Sequence, residues 1–219
     1  MKNSILTLLV VLGLASNSQG VFLGQMRSAE TSGMGSLNLM GNIGIFEDAR
    51  LVTGTLRYGI ATPVDVTGSL AIMDHDASDN VAIMFGGDLQ WRLTHSDLGA
   101  PLDIAVGAMV EYYSLDVTSR NNISNVGLGF NLVGSRPVKL DNGFNFTPYG
   151  RLNLRIDRSQ SKLTGEIALD RVTKEHDSKF NIGVNVGSVF PLSGKVNLVG
   201  EIQIDDQLGF IAGINFFMW

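Results

Sequence analysis

Few residues in this chain could serve as catalytic groups. Its 219 residues include three histidines and no cysteine. Each histidine has a polar neighbour that a mechanism would need, in Asp74-His75-Asp76, His95-Ser96-Asp97 and His176-Asp177. A carboxylate beside an imidazole can make a general base for water, and a Ser-His set can make a nucleophile. Asp74, Asp76 and Asp79 offer hard oxygen ligands to a divalent cation, but without the glycine and terminal glutamate of an EF-hand loop. The plainer reading is that these are solvated turn residues, because all of them fall in spacers between patterned segments. On that reading the chain is not an enzyme and has no catalytic, cofactor-binding or metal-ligating residue. The lack of cysteine removes disulfides, thiolate metal sites and thiol nucleophiles.

A second group of charged residues lies inside the patterned segments. Arg57, Asp88, Arg92, Asp103, Glu111, Arg151, Arg155 and Glu201 fall on faces otherwise made of glycine and polar residues. Their signs are mixed, and arginine outnumbers lysine there, which suits enclosed ion pairs because the planar guanidinium pairs bidentately with carboxylates. They form the candidate functional network.

The elements that position this network are strands. Apolar residues recur at every second position in segment after segment. Val81, Ile83, Phe85, Leu89, Trp91 and Leu93 form one face, and Ala82, Met84, Asp88, Gln90 and Arg92 form the other. Leu102 to Tyr113 repeats the pattern. Alternation of period two is the mark of a half-apolar strand. It predicts about ten strands, over 35–46, 50–62, 65–74, 81–93, 102–114, 124–135, 144–156, 179–190, 195–204 and 208–219, with eight as the alternative count. Two kinds of spacer alternate between them. The spacers at 62–64, 94–101, 136–143 and 191–194 are turns. Those at 47–49, 75–80, 115–123, 157–178 and 205–207 include the longest loop and most of the loop charge. Residues 157–178 either extend the flanking strands as a hairpin or fold inward as a partial plug.

An all-β, antiparallel up-and-down barrel follows, and the faces indicate which side is wet. Gly44, Gly59, Gly86, Gly107, Gly127, Gly129, Gly183, Gly187, Gly209 and Gly213 share the polar faces. Glycine in a solvated strand only weakens it, but inside a narrow barrel it gives strands room to curve and close. Phe46, Tyr58, Trp91, Tyr112, Phe144, Phe146, Phe180, Phe190 and Phe216 are placed on the apolar faces, mostly near strand ends, as interfacial girdles would be. A transmembrane barrel with a polar lumen therefore fits better than a soluble ligand-binding barrel of the periplasm. Mean hydropathy is positive, at +0.17, although the apolar run Ile5–Leu14 is too short for a membrane-spanning helix of about 20 residues. That run follows Lys2 and precedes the small and polar residues 15–20, the pattern of a secretory signal peptide. The expected organisation is a leader over 1–20 and a barrel domain over 21–219. The net charge of −5 and the lack of a basic stripe argue against nucleic acid.

The chain resembles the small outer-membrane β-barrel proteins of Gram-negative-type bacteria, in the broad OmpA/OmpX-like and porin-like group. Besides the leader, the resemblance rests on Phe146-Thr147-Pro148-Tyr149-Gly150, similar to a T-P-Y-x-G pattern of such strands, and on a last strand, Leu208 to Trp219, that ends on an aromatic. In that strand Phe210, Ala212, Ile214, Phe216 and Met218 share the apolar face, so Trp219 falls on the other parity. The resemblance implies residence in the outer membrane, outer-membrane lipid and the barrel-assembly machinery as partners, and a monomer. It implies a structural or narrow passive-pore role, with the interior either open or filled by its own side chains. The Asp/His groups of the charged spacers resemble the surface arrangement of omptin proteases, whose chains are considerably longer. His95-Ser96 resembles the Ser-His set of lipid A deacylase barrels, but it lies at the turn end, away from outer-leaflet lipid.

Overall fold

The computed structural model describes residues 25–76, 78, 80–118, 121–163, 173–205 and 207–218. The expected leader lies outside them. The strands are β1 (Leu37–Phe46), β2 (Ala49–Ala61), β3 (Val64–His75), β4 (Val81–Thr94), β5 (Asp103–Thr118), β6 (Asn121–Ser135), β7 (Val138–Lys139), β8 (Asn145–Leu163), β9 (Thr173–Ser193), β10 (Val196–Ile204) and β11 (Leu208–Phe217). Each long strand pairs antiparallel with its neighbours in sequence, and β7 is a two-residue pairing with β8 outside the wall. The sheet closes where β1 meets β11, from Asn38 opposite Phe217 to Phe46 opposite Gly209. The wall therefore has ten strands and no free edge, as an up-and-down barrel requires.

Local chemistry sets the turns. At the end where β1 begins and β11 finishes, the Thr94 hydroxyl donates to the Leu102 carbonyl (2.7 Å) and accepts from the Ile104 N–H (2.9 Å). Asp103 accepts from the Ser96 N–H (2.8 Å) and hydroxyl (2.7 Å). At the opposite end two hairpins run further than the alternation predicted. β8 continues to Leu163 and β9 begins at Thr173, with Asp157 opposite Lys179 and Leu163 opposite Thr173. Much of 157–178 is thus an extension of the wall, the hairpin of the two alternatives. β5 likewise reaches Thr118 and β6 begins at Asn121, replacing the predicted loop over 115–123. Polar residues hid these extensions, because above the apolar belt a strand has no reason to alternate.

The faces sort as the period required. Outward residues such as Ile43 (61% exposed) and Phe130 (69%) contrast with inward Gln90 (0%) and Asn185 (1%). From Ile45, Val52, Ile72, Val81, Tyr112, Val126, Ile156, Phe180, Ile204 and Leu208 down to the turn end, no outward strand position carries a charge. Arg50, Asp74, Asp116 and Arg158 stand just beyond that limit, outward and exposed. Phe144, Phe146 and Phe190 gather at the turn-end rim with ring centroids 5.9–6.2 Å apart.

One aromatic assignment is corrected. Phe46 shares the parity of Gly44, so it turns inward and is 8% exposed. Its ring fills the space left by Gly209, where an added Cβ would collide with it. At outward Gly200 an added Cβ meets nothing within 4 Å. Gly209→Val should therefore lower barrel stability by about 1–3 kcal/mol, the usual range for overpacking, while Gly200→Val should change it by less than about 0.5 kcal/mol. Urea unfolding of the refolded proteins in detergent measures both.

Candidate functional site

Inward positions of neighbouring strands face each other across the lumen, so charges distant in sequence meet there. At the level nearer the hairpin end, Arg155 donates from Nε to Asp157 (2.6 Å) and lies 3.5 Å from Asp205. Asn181 donates to the same Asp157 oxygen (2.6 Å). Deeper toward the turns, Glu201 accepts from the Tyr149 hydroxyl (2.7 Å), Asn185 (2.8 Å) and Gln203 (2.8 Å). The Arg151 guanidinium sits 5.9 Å over the Tyr149 ring. Arg57 approaches Asp65 at 3.8 Å, near the turn end.

All eight residues of the predicted network face the lumen. Arg57, Asp103, Glu111, Arg151, Arg155 and Glu201 are buried, and Asp88 and Arg92 are half-buried. They do not form one cluster. Asp103 binds the turn residue Ser96, and Glu111 lies beside Gly127 on the wall. Sequence reasoning missed Asp65, Asp157 and Asp205, which were at or beyond the assumed strand ends. It also missed Tyr149 and Asn185, whose parity was available but which carry no charge. Along the whole path the inward cations are Arg57, Arg92, Arg151, Arg155 and Lys179. The inward carboxylates are Asp65, Asp88, Asp103, Glu111, Asp157, Glu201 and Asp205, so acid exceeds base.

The largest departure from expectation is at the start of the described chain. Gln25, Met26, Arg27, Ser28 and Ala29 are consecutive and all buried, between 0% and 7% exposed. A wall strand buries every second residue, so unbroken burial means that this stretch runs inside the barrel. Arg27 donates Nε to Gln90 (2.7 Å), Nη1 to Thr67 (2.6 Å) and Nη2 to Asp88, which pairs with Thr67 across β3 and β4. From the far wall, Arg151 donates to the Arg27 carbonyl (2.7 Å). The Ala29 N–H donates to the Ser135 hydroxyl (3.0 Å), and the Ser32 N–H to Asp65 (2.9 Å). A polar cavity of about 70 Å³ remains between the segment and the wall near Arg57, Val189, Asn197 and Asn215. The alternatives of an open path and a side-chain-filled interior therefore give way to a third arrangement, a lumen occupied by the chain's own backbone. No alternation marks residues 25–36, so no face could be assigned to Arg27 from sequence.

The histidine sets separate in space. His75 is buried and inward at the end of β3, whereas Asp74 and Asp76 are exposed. The Ser96 hydroxyl is committed to Asp103. The side chain of His176, and residues Asp79, Asp206 and Trp219, lie outside the described residues. No group of three or more His, Cys, Asp or Glu side chains suited to a metal occurs among the described residues.

No family model matches the chain, and no curated protein matches it. Solved structures do. The N-terminal β-barrel domain of Pseudomonas aeruginosa OprF matches at 8% identity and TM-score 0.40, over 85% of this chain and 100% of that one. An outer membrane channel of Pseudomonas putida F1 matches at 10% identity and TM-score 0.42, over 91% and 100%. The translocator domain of the autotransporter NalP from Neisseria meningitidis matches at 9% identity and TM-score 0.42, over 86% and 90%. Likeness at this level leaves function to be read from the chain's own geometry.

Glu30, at the turn-end mouth, gives a pH signature. Burial and then Asp103 raise its carboxyl pKa, with Asp97 adding and Arg92 and Ser28 opposing. A carboxyl whose pKa is higher when folded favours the fold while protonated, so this contribution is lost as pH rises from the ordinary glutamate value through the raised one. Glu30→Gln should match the native chain in thermal stability at about pH 4. It should exceed it by a margin that grows toward about pH 8, followed by differential scanning calorimetry in detergent.

Proposed function

We propose that this chain is an integral β-barrel protein of the bacterial outer membrane with a structural, porin-like role, whose narrow passive pore is closed in the resting state. The observation that carries this reading is the pairing of an uncharged outward belt with a polar, ion-paired interior. Water cannot satisfy backbone groups in hydrocarbon, so a strand protein can cross a bilayer only as a closed barrel. The wall strands have the length for it, since about 9–11 residues span the core and the shortest of them are β10, with 9, and β1 and β11, with 10 each. A soluble barrel of this size would put its large aliphatic side chains inside. Here most of them are outside, and arginines, asparagines and carboxylates line much of the interior. The turn end, where β1 starts and β11 ends, is read as periplasmic, and the long β5–β6 and β8–β9 hairpins as external. Outer-membrane lipid is the partner this surface requires. Delivery by a leader over residues 1–20, and assembly through the barrel-assembly machinery, complete the reading.

The test is extraction and insertion. The chain should fractionate with the outer membrane, need detergent to dissolve, and migrate differently on a gel before and after boiling. Recovery as a soluble periplasmic protein without detergent would overturn the reading. Ala212 lies on the outward face opposite Ile43 and Gly200, midway down β11. Ala212→Arg should lower stability in lipid by about 2–4 kcal/mol, the cost of a cation at the bilayer midplane. Denaturant titration in liposomes measures it.

A further inference from the structure

We propose that residues 25–32 are a removable plug latched by Arg27, and that the lumen they vacate conducts small cations. The inference rests on the membrane-barrel reading above and goes beyond it by naming the gate and the class of solute.

The plug is attached in a way that permits release. Residues 25–32 make no backbone–backbone hydrogen bond to the wall among those described, and the first such bonds join Gly35 and Ser36 to Gly59 at the mouth. The segment hangs instead on side chains, chiefly the three donors of Arg27 on Thr67, Asp88 and Gln90. A strand built into the sheet would have to break a ladder to leave, whereas this segment gives up hydrogen bonds that each involve a side chain, which water can replace, and the packing of Met26 and Ala29. Gly33 and Gly35, at φ +84° and +81°, join it to β1 in the left-handed region that glycine enters without strain. They form a hinge at the mouth, where Gly33 passes so close to Gly59 that no Cβ would fit there.

The wall behind the plug is suited to water. Arg151 is 2% exposed, yet its Nε and Nη1 meet no protein partner, and neither do the amide atoms of Asn131 nor Asn42 Oδ1. Buried polar atoms need partners, and water in the lumen supplies them to these groups. The width follows from the occupant, since a channel holding an extended backbone with side chains on both sides passes a hydrated small ion once that backbone leaves. Its preference follows from charge. Carboxylates already exceed cations along the inward face, and withdrawal of Arg27 removes the partner of Asp88. Carboxylate-lined constrictions favour cations.

The experiment uses the full mature chain, refolded and inserted in planar lipid bilayers with potassium chloride. Because the chain has no cysteine, Ala29→Cys with Ser135→Cys, positions joined by a hydrogen bond, gives one engineered pair. The oxidised pair should be electrically silent, and reduction should restore the rare openings of the native chain. Arg27→Ala and, separately, Asp88→Asn should raise open probability at least tenfold, with heat-modifiable migration unchanged. Reversal potentials in a salt gradient should show potassium favoured over chloride. Equal conductance in the oxidised pair, the reduced pair and Asp88→Asn would overturn the plug, whether or not Arg27→Ala folds. Chloride preference in the open state would overturn the assignment of solute class. A chain that never inserts or shows heat-modifiable migration would instead overturn the membrane-barrel reading itself.

Discussion

The rest of this structure depends on the pairing of β1 with β11. Nine residue pairs, Asn38–Phe217 through Phe46–Gly209, convert a ten-strand meander into a ring. Without them two strands would present unpaired N–H and C=O groups to whatever surrounds the sheet. In hydrocarbon each such group costs several kcal/mol, roughly what a whole domain has in net stability. With them, the outside needs only apolar side chains. Closure therefore licenses the uncharged belt, and the belt in turn leaves the charged strand residues of that zone only the inward face.

That obligation creates the interior. Once polar residues are forced to one side, they must satisfy one another or meet water. Some do the first, as with Glu201, which collects three donors, and Asp157, held by Arg155 and Asn181. Others are met by the entering segment. Asp88 has Arg27, and Ser135 has the Ala29 N–H. The wall and the plug are thus complementary in hydrogen bonding, and neither is a self-contained core. Buried ion pairs of this kind contribute little net stability compared with apolar packing, because desolvation offsets their attraction. Their value here lies in position. Arg27 can reach three acceptors at once on two adjacent strands because a guanidinium carries donors in a fixed fork, which a lysine ammonium does not.

Period-two alternation made the wall legible in sequence. The eight predicted lumen residues all face inward for that reason, from Arg57 on β2 to Glu201 on β10. The pattern failed where its physical cause ends. Beyond the belt the apolar alternation stops, so Asp157 to Leu163 and Thr173 to Ser178 fit either a hairpin extension or an inward fold by sequence, and their pairing is the hairpin. Phe46 was misplaced because aromatic character outweighed parity in assigning it, and parity was the better guide. Arg27 was invisible for a different reason. A segment enclosed on all sides has no face, so it leaves no periodic trace in its sequence, and only the closed wall around it reveals where it lies.

The count of ten strands explains why a segment is needed at all. An eight-stranded barrel has an interior that its own side chains can fill. Two more strands widen the ring, and the inward glycines widen it further, as Gly59 does where Gly33 passes. Larger side chains could have filled all of that space with a fixed apolar core. Buried Leu51, Met73, Met84 and Phe46 fill part of it, but asparagine, threonine, glycine and ion pairs line the rest, such as Asn131, Asn153, Thr53 and Thr67. These leave room for a polypeptide and suit water equally well. A barrel selected only for rigidity has no reason to combine an oversized ring, small polar lining and a filling held by side chains alone. A barrel whose lumen must sometimes be empty has reason for all three.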